Sequence, residues 1–340
     1  MRDATYTKDG LSKYADQADH AVPVVQASPI DVTCVGLCVV NFPVYPVDES
    51  IFSRDFIPVS PITVMPGGDA ANQAIVLSRL GLKTALVTRR GSDSFGGMLL
   101  NLLREHGRDI DVSGIAIDEE KATRVCAMMI RPDGQRHFCA HEGASRNFSV
   151  KDIDFKVLSR TRAVSIGGMF SLPSFDGAGA TALFKAARER GVITVADTKA
   201  DMMGIGLKGI RETLPYTDYF FPSYGEAAAI SGQTEPEDMA RVFLDAGAGN
   251  VGIKLGEKGC YFRNAEAEFF MPALPANVVD TTGAGDCFMS GLIAGVLKGW
   301  EIRKCCLFGM AAAALCVSAV GPTAAVTDFA QVMDYMERHG

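Results

Sequence analysis

The residues best suited to chemistry lie in one run, Asp280-Thr281-Thr282-Gly283-Ala284-Gly285-Asp286, with the apolar stretch CFMSGLIAGVLKG behind it. The segment PANVVD before the run reads as a strand, and the stretch after it as a long helix. Glycines in such a turn let backbone N–H groups approach a ligand closely. The first N–H groups of a helix lack internal acceptors and carry the positive end of its dipole. That combination is a ready anion site. An acid in a first helical turn by itself only stabilises the helix; the full DTTGAGD run, with its helix, favours a functional reading of Asp286.

A second glycine pair opens another helix: Gly67-Gly68-Asp69-Ala70-Ala71-Asn72-Gln73-Ala74, with LSRLG behind it. Asp197-Thr198-Lys199 falls at the carboxyl end of a strand, where open α/β sheets bind ligands. Lys199 and Lys254 are candidates for phosphate contact. Glycine-rich Lys254-Leu255-Gly256-Glu257-Lys258-Gly259 follows another strand.

Stepping from these residues to their supports, strands and helices alternate along most of the chain. DVTCVGLCVV (31–40) reads as one buried strand, and TALVTRRG, RAVSIGG, VITVAD, TDYFFPS and NVGIKLG as others. Helical patterns fall between them and again at 283–298, 301–318 and the chain end. This alternation predicts an α/β fold, a mostly parallel sheet covered on both faces. Two β-rich interruptions, 41–66 and 121–141, do not fit βαβ units and are expected to form a small sheet beside the main one, as a lid. The second contains a hairpin with a Pro-Asp-Gly turn. Residues 1–30 read as a polar extension, and 31–340 as the main domain.

DTTGAGDCFMSGLIAGVL resembles the C-terminal signature of the PfkB/ribokinase carbohydrate kinases, and GGDAANQA with LSRLG resembles their N-terminal one. Both stand in the family's order and spacing, and the likeness extends over about residues 31–338. The resemblance implies a ribokinase-like, Rossmann-type sandwich with a β-sheet lid. It also implies transfer of phosphoryl from ATP to a primary hydroxyl of a sugar or sugar-like substrate. Asp286 then matches the catalytic base, and the N–H groups of Gly283, Ala284, Gly285 and Asp286 the anion hole. Gly67, Gly68, Asp69 and Asn72 fall at substrate-binding positions. Asn41 stands where the family usually has an Asp, and Asp69 where ribokinases have Lys. The first loses a charge-assisted bond to substrate; the second disfavours an anionic substrate at that end.

Glu226 matches the acid of the family's NxxE motif, which helps hold Mg²⁺; Ser223 replaces the Asn. Lys199, Ser223, Glu226, Lys254, Gly256 and Gly259 fall on the nucleotide side. Asp280, with the carbonyls of Thr282, Ala319 and Gly321, resembles a monovalent-cation site, for which potassium is the expected ion. Relatives imply a homodimer through the lid. Alternatives are a nucleoside kinase of the same fold, with Phe42, Tyr45 and Phe170 as a base wall, or a non-catalytic sugar-binding sensor. Arg89, Arg90 and Arg124 are further candidates for phosphate or substrate.

Composition narrows the rest. The chain of 340 residues carries a net charge of −7, which argues against binding nucleic acid or anionic membranes through bulk charge. The nine cysteines form no CxxC pair, which suggests free thiols in a reducing compartment. The N-terminal residues lack a secretory pattern. The apolar stretch from Cys305 to Gly321 reads as a buried core helix rather than a membrane span, so a cytoplasmic protein is expected. There is no GxxxxGK[ST] loop and no GxSxG elbow, and the five histidines show no metal spacing.

Overall fold

Apolar runs bounded by glycine and polar turns build the sheet, and helices with one apolar face cover it. The computed structural model describes residues 29–133, 135–202 and 204–340, so the N-terminal extension lies outside the described residues but for its last two. In chain order the elements are β1 (Ile30–Gly36), β2 (Val39–Val44), β3 (Met65–Gly67), α1 (Asp69–Arg79), β4 (Thr84–Gly91), α2 (Ser94–His106), β5 (Ile115–Asp118), β6 (Val125–Ile130) and β7 (Arg136–His141). There follow β8 (Thr161–Met169), α3 (Ala178–Arg188), β9 (Ile193–Thr198), β10 (Tyr219–Phe220), α4 (Tyr224–Ser231), α5 (Pro236–Asp245) and β11 (Asn250–Lys254). The chain closes with β12 (Cys260–Arg263), β13 (Glu268–Met271), α6 (Ala284–Leu297), α7 (Ile302–Cys316) and α8 (Phe329–His339).

A nine-stranded sheet runs β13-β12-β11-β10-β9-β8-β1-β4-β5, and a four-stranded one β3-β2-β6-β7. The large sheet is parallel from β5 to β11; β12 pairs antiparallel with both neighbours. The predicted α/β fold with a second small sheet is therefore what forms.

Four local expectations are corrected. The run 31–40 is not one strand: it breaks at Leu37-Cys38, and its halves enter different sheets. Of the interruption at 41–66, only its two ends pair as β2 and β3; the rest is irregular or short 3-10 helix. PANVVD is not a strand but an irregular segment with Val278 and Val279 exposed. Strands β5, β12 and β13 were not foreseen, because they are only four residues long.

The stability of the site rests on α6, whose residues from Asp286 to Gly295 are all buried. Gly291 faces Gly309 of α7 so closely that a Cβ would lie 2.7 Å from the Gly309 Cα. Backbones pack directly there, and Phe288, Met289, Leu292 and Ile293 fill the space beneath. Each such large apolar side chain contributes about 1.5–3 kcal/mol by leaving water. A helix anchored this way presents its N-terminus rigidly.

Candidate active site

The chain leaves the adjacent strands β1 and β8 in opposite directions, towards β4 and β5 on one side and β9 to β11 on the other. A crevice at the carboxyl ends of strands forms at such a switch point. Glycines set its floor. Gly36 pairs with Gly167, and a Cβ on Gly36 would lie 2.6 Å from the Gly167 carbonyl. One on Gly167 would meet the Ala70 nitrogen at 2.7 Å, and one on Gly168 the Asp69 Oδ2 at 2.7 Å. The first turn of α1 therefore sits directly on the strand ends. Gly68, with φ of 92°, caps that helix where a Cβ would strike the Leu37 carbonyl.

Helix α6 starts beside α1. Gly283 caps it with φ of 78°, a conformation that suits glycine. Gly283, Ala284 and Gly285 are half-buried, whereas Asp286 is buried. Asn72 Nδ2 donates to Asp286 Oδ2 at 2.7 Å, joining the two predicted motifs across 214 residues. Burial, then the negative charge of Asp69, pushes the Asp286 carboxyl well above its ordinary range; the Asn72 bond and the Lys199 charge oppose this. The Asn72 Oδ1 is buried and, among the described residues, has no hydrogen-bond partner.

Asp69 itself faces Lys199, with Nζ 3.1 Å from Oδ2. That carboxylate is the main cause holding the Lys199 ammonium above its ordinary value, and the charge of Arg124 works against it. Asn41, on β2, lies over Gly67, where a Cβ would be only 2.0 Å from its Nδ2.

On the other side, Asp197 at the end of β9 takes Lys254 Nζ at 2.6 Å from the end of β11. Burial pushes the Asp197 carboxyl up to about 6 against the attraction of Lys254. For Lys254, burial lowers the value, and Asp197 and Glu226 more than offset it. A Cβ on Gly285 would lie 3.2 Å from the Lys254 Nζ, so the lysine stands at the glycine turn. Ser223 and Glu226 form a capping box at the start of α4. Glu226 Oε2 accepts from the Ser223 backbone at 2.8 Å and the Thr198 hydroxyl at 2.9 Å. Gly256, with φ of 60°, has open space where a Cβ would point; Gly259 packs against the Met271 carbonyl.

The third group stands at the approach to the turn. Asp280 accepts from Thr282 N, Thr282 Oγ1, Gly321 N and Arg136. The carbonyl of Thr282 accepts from the Cys316 thiol at 3.4 Å. Ala319 and Gly321 lie on the loop after α7. Arg89 is tied to Asp118 and Asp152 instead, and Arg90 to the Gly91 carbonyl. An open hollow of about 880 Å³ beside α3, lined by Asp176, Thr181, Lys208 and Glu212 among others, includes none of the site residues.

Sequence reasoning passed over Asp197, Thr198 and Arg136 as individual site residues. The position of Asp197 at a strand's carboxyl end was the available signal. For Arg136 there was none, since hairpin register sets where it points. Among the described residues, no group of three or more His, Cys, Asp or Glu is arranged to hold a metal alone, and no helix is long and apolar enough to cross a membrane.

Residues 30–328 match the pfkB family of carbohydrate kinases. A 5-dehydro-2-deoxygluconokinase of Geobacillus kaustophilus is 27% identical over 94% of this chain and 97% of its own length. Fructokinase-2 of Zea mays is 25% identical over 80% of this chain and 85% of its own. Among solved structures, Arabidopsis thaliana ribokinase complexed with ribose and ATP superposes with a TM-score of 0.76 at 25% identity, over 91% of this chain and 99% of that one. A provisionally assigned ribokinase II of E. coli, in complex with ATP and Mg²⁺, gives 0.79 at 23% identity over 91% and 100%. With both signature helices meeting at Asn72 and Asp286, the chain belongs to the pfkB family of carbohydrate kinases, ATP-dependent phosphotransferases.

Proposed function

We propose that this kinase transfers the γ-phosphoryl group of ATP to a primary hydroxyl of a sugar or sugar-like substrate, with Asp286 as the base. The observation that carries the reading is the Asn72–Asp286 pair. One side-chain oxygen of Asp286 is held at 2.7 Å, and Asn72 keeps a buried acceptor, Oδ1, without a donor among the described residues. A substrate hydroxyl supplies such a donor, and a neighbouring hydroxyl can then give its proton to Asp286. The raised affinity of Asp286 for a proton suits a base.

Phosphoryl transfer asks the protein for position and charge stabilisation. The N–H groups of Gly283, Ala284, Gly285 and Asp286 form the anion hole at the helix tip. Lys254, beside Gly285, adds a positive charge. Gly67, Gly68, Asp69 and Asn41 line the sugar side, where Asp69 holds Lys199, the phosphate candidate. Gly256 leaves room for the nucleotide. Gly259 contributes through the turn that it shapes. Mg²⁺ takes few carboxylates and keeps waters and phosphate oxygens. Glu226 fits that role, because both hydrogen bonds it accepts fall on Oε2. When bound, the ion draws charge from the transferring phosphate.

Of the three aromatic residues considered as a base wall, Tyr45 is exposed and keeps the nucleoside alternative open. Phe42 packs edge-on against Phe95 at 5.9 Å, and Phe170 is buried, so neither offers a free wall for a base. We further propose that the four-stranded sheet acts as the lid that excludes water from the site. Its edge strand β7, with Phe138 exposed, would pair with a second copy, which sedimentation would detect. All nine cysteines are free thiols, which supports action in the reducing cytoplasm. The test is a panel of hexoses, pentoses, keto acids and nucleosides with Mg²⁺ and ATP, following ADP. Release with a sugar supports the reading. ADP release with nucleosides only redirects it to a nucleoside kinase, and binding without ADP makes the protein a sensor.

A further inference from the structure

The carboxylate of Asp280 is buried against the approach to the glycine turn, its side chain 8% exposed. Its Oδ1 accepts from the Thr282 backbone at 2.9 Å, the Thr282 hydroxyl at 2.7 Å and the Arg136 guanidinium at 2.7 Å. Its Oδ2 accepts from the Gly321 backbone at 2.9 Å. The same guanidinium donates to the Thr281 hydroxyl at 2.5 Å. A monovalent metal ion held by Asp280 and the carbonyls of Thr282, Ala319 and Gly321 would have this carboxylate as its one charged ligand. The carboxylate already receives four donors, about as many as its lone-pair sites, and one of them brings a full positive charge. A second cation beside the guanidinium would be repelled in a half-buried site. The residues present do not fit a metal ion.

Arg136 begins β7 of the small sheet, while Asp280, Thr281 and Thr282 lead into Gly283. The guanidinium therefore joins the two parts of the molecule at the base of the anion-binding turn. Its two donors are spread across adjacent residues, which a lysine ammonium cannot match in geometry. We propose that Arg136 is the resident cation of this loop. It neutralises Asp280 in place of a monovalent metal ion and positions the glycine turn from the small sheet. Arg136 is a positioning residue: it acts on phosphate through residues 280–283. The inference rests on the kinase reading of that turn.

The test compares wild type with Arg136→Met in KCl and in tetramethylammonium chloride at equal ionic strength. The readouts are Mg·AMP-PNP affinity, melting temperature and ADP production with the best sugar of the panel. Wild type is expected to bind AMP-PNP equally, within about twofold, in both salts, because its cation is covalently its own. Arg136→Met should lose about tenfold in affinity, the equivalent of one charge-assisted hydrogen bond, and recover much of it in K⁺, or in a third arm with dilute guanidinium chloride at the same ionic strength. Its melting temperature should acquire a K⁺-specific rise that wild type lacks. Arg136→Lys, should the Met variant not fold, keeps the charge and should fall between the two without needing K⁺. A wild type about tenfold better in K⁺ overturns the proposal. So does a variant whose loss neither ion restores, or one with no loss at all. If no sugar yields ADP, the kinase reading fails, and the salt response of the melting temperature still decides the role of Arg136.

Discussion

Asp286→Asn changes one atom and removes one charge, and the structure fixes what should follow. The position is buried, and Asn72 Nδ2 donates to it at 2.7 Å. An amide keeps an acceptor oxygen for that bond. Replacing a charged by a neutral hydrogen bond costs about 1 kcal/mol. Against this, the charged form is itself unfavourable here, since burial and Asp69 raise its proton affinity. The two effects offset, so the unfolding free energy should move by less than about 2 kcal/mol. Catalysis has no such compensation. Removing a general base costs about 10²–10⁴ in turnover, or about 3–5 kcal/mol of transition-state stabilisation. The KM for ATP and for the sugar should stay within about tenfold, because the loss falls on kcat. The pH profile adds a second check. Only the carboxylate accepts a proton, so wild-type kcat/KM should fall as pH drops through a value above the ordinary carboxylate range. Stability runs the other way: the folded state holds this proton more tightly than the unfolded chain, so stability from this group declines as pH rises towards the folded value. Coupled ADP release, single-turnover kinetics and thermal melts measure all three. A variant within tenfold of wild-type kcat, with an unchanged acid limb, refutes Asp286 as the base.

Asn41→Ala should raise the KM of the sugar more than that of ATP in steady-state kinetics; the reverse would remove Asn41 from the sugar side. Gly285→Ala should melt no lower than wild type, since alanine is favoured in helices by up to about 1 kcal/mol, yet lose at least about tenfold in turnover because its Cβ lies 3.2 Å from Lys254 Nζ. Gly283→Ala should instead cost at least about 1–3 kcal/mol in stability, from its positive φ and from a Cβ only 2.2 Å from the Pro322 carbonyl; equal melts for the two variants would contradict this. Lys254→Met breaks a buried pair and should cost about 3–5 kcal/mol near neutral pH. Asp197, at about 6 in wild type, should climb further without its lysine and take up a proton as pH falls. The stability deficit should therefore narrow between pH 8 and 5 in thermal melts, and a constant gap would show that the pair is not buried as described.

What the sequence disclosed follows from what local pattern can encode. The two glycine-led helices were legible because turn, helix start and acid sit within seven residues of one another. The parallel sheet was legible from alternation, since apolar stretches such as β1 and β8 recur between helical patterns. The break at Leu37-Cys38 was not, because both halves are equally apolar and only the position of the second sheet separates them. Val278 and Val279 suggested a strand by residue type, yet no partner edge reaches them among the described residues. Lys254 and Asp197 are 57 residues apart and meet only because β9, β10 and β11 lie side by side. Arg136 meets Asp280 across 144 residues, and hairpin register decides that contact.

The arrangement of charge supports the proposal that one acid among four acts as the base. Asp69 has Lys199 and Asp197 has Lys254. Glu226 has two donors on one oxygen, the Ser223 amide and the Thr198 hydroxyl. Asp286 is buried much as Asp197 is, but among the described residues its side chain has only a neutral amide hydrogen-bonded to it. Its neighbours Asp69 and Asp197 act on it as negative charges, and Lys199 only partly cancels them. Similar carboxylates thus acquire different roles from their surroundings. The residue change at 69 belongs to this logic. A lysine there, as ribokinases have, would draw the proton off Asp286; an aspartate bound to Lys199 leaves the base more eager for it. The four acids and two lysines carry a net charge of about −2 when all are ionised, which one divalent cation balances.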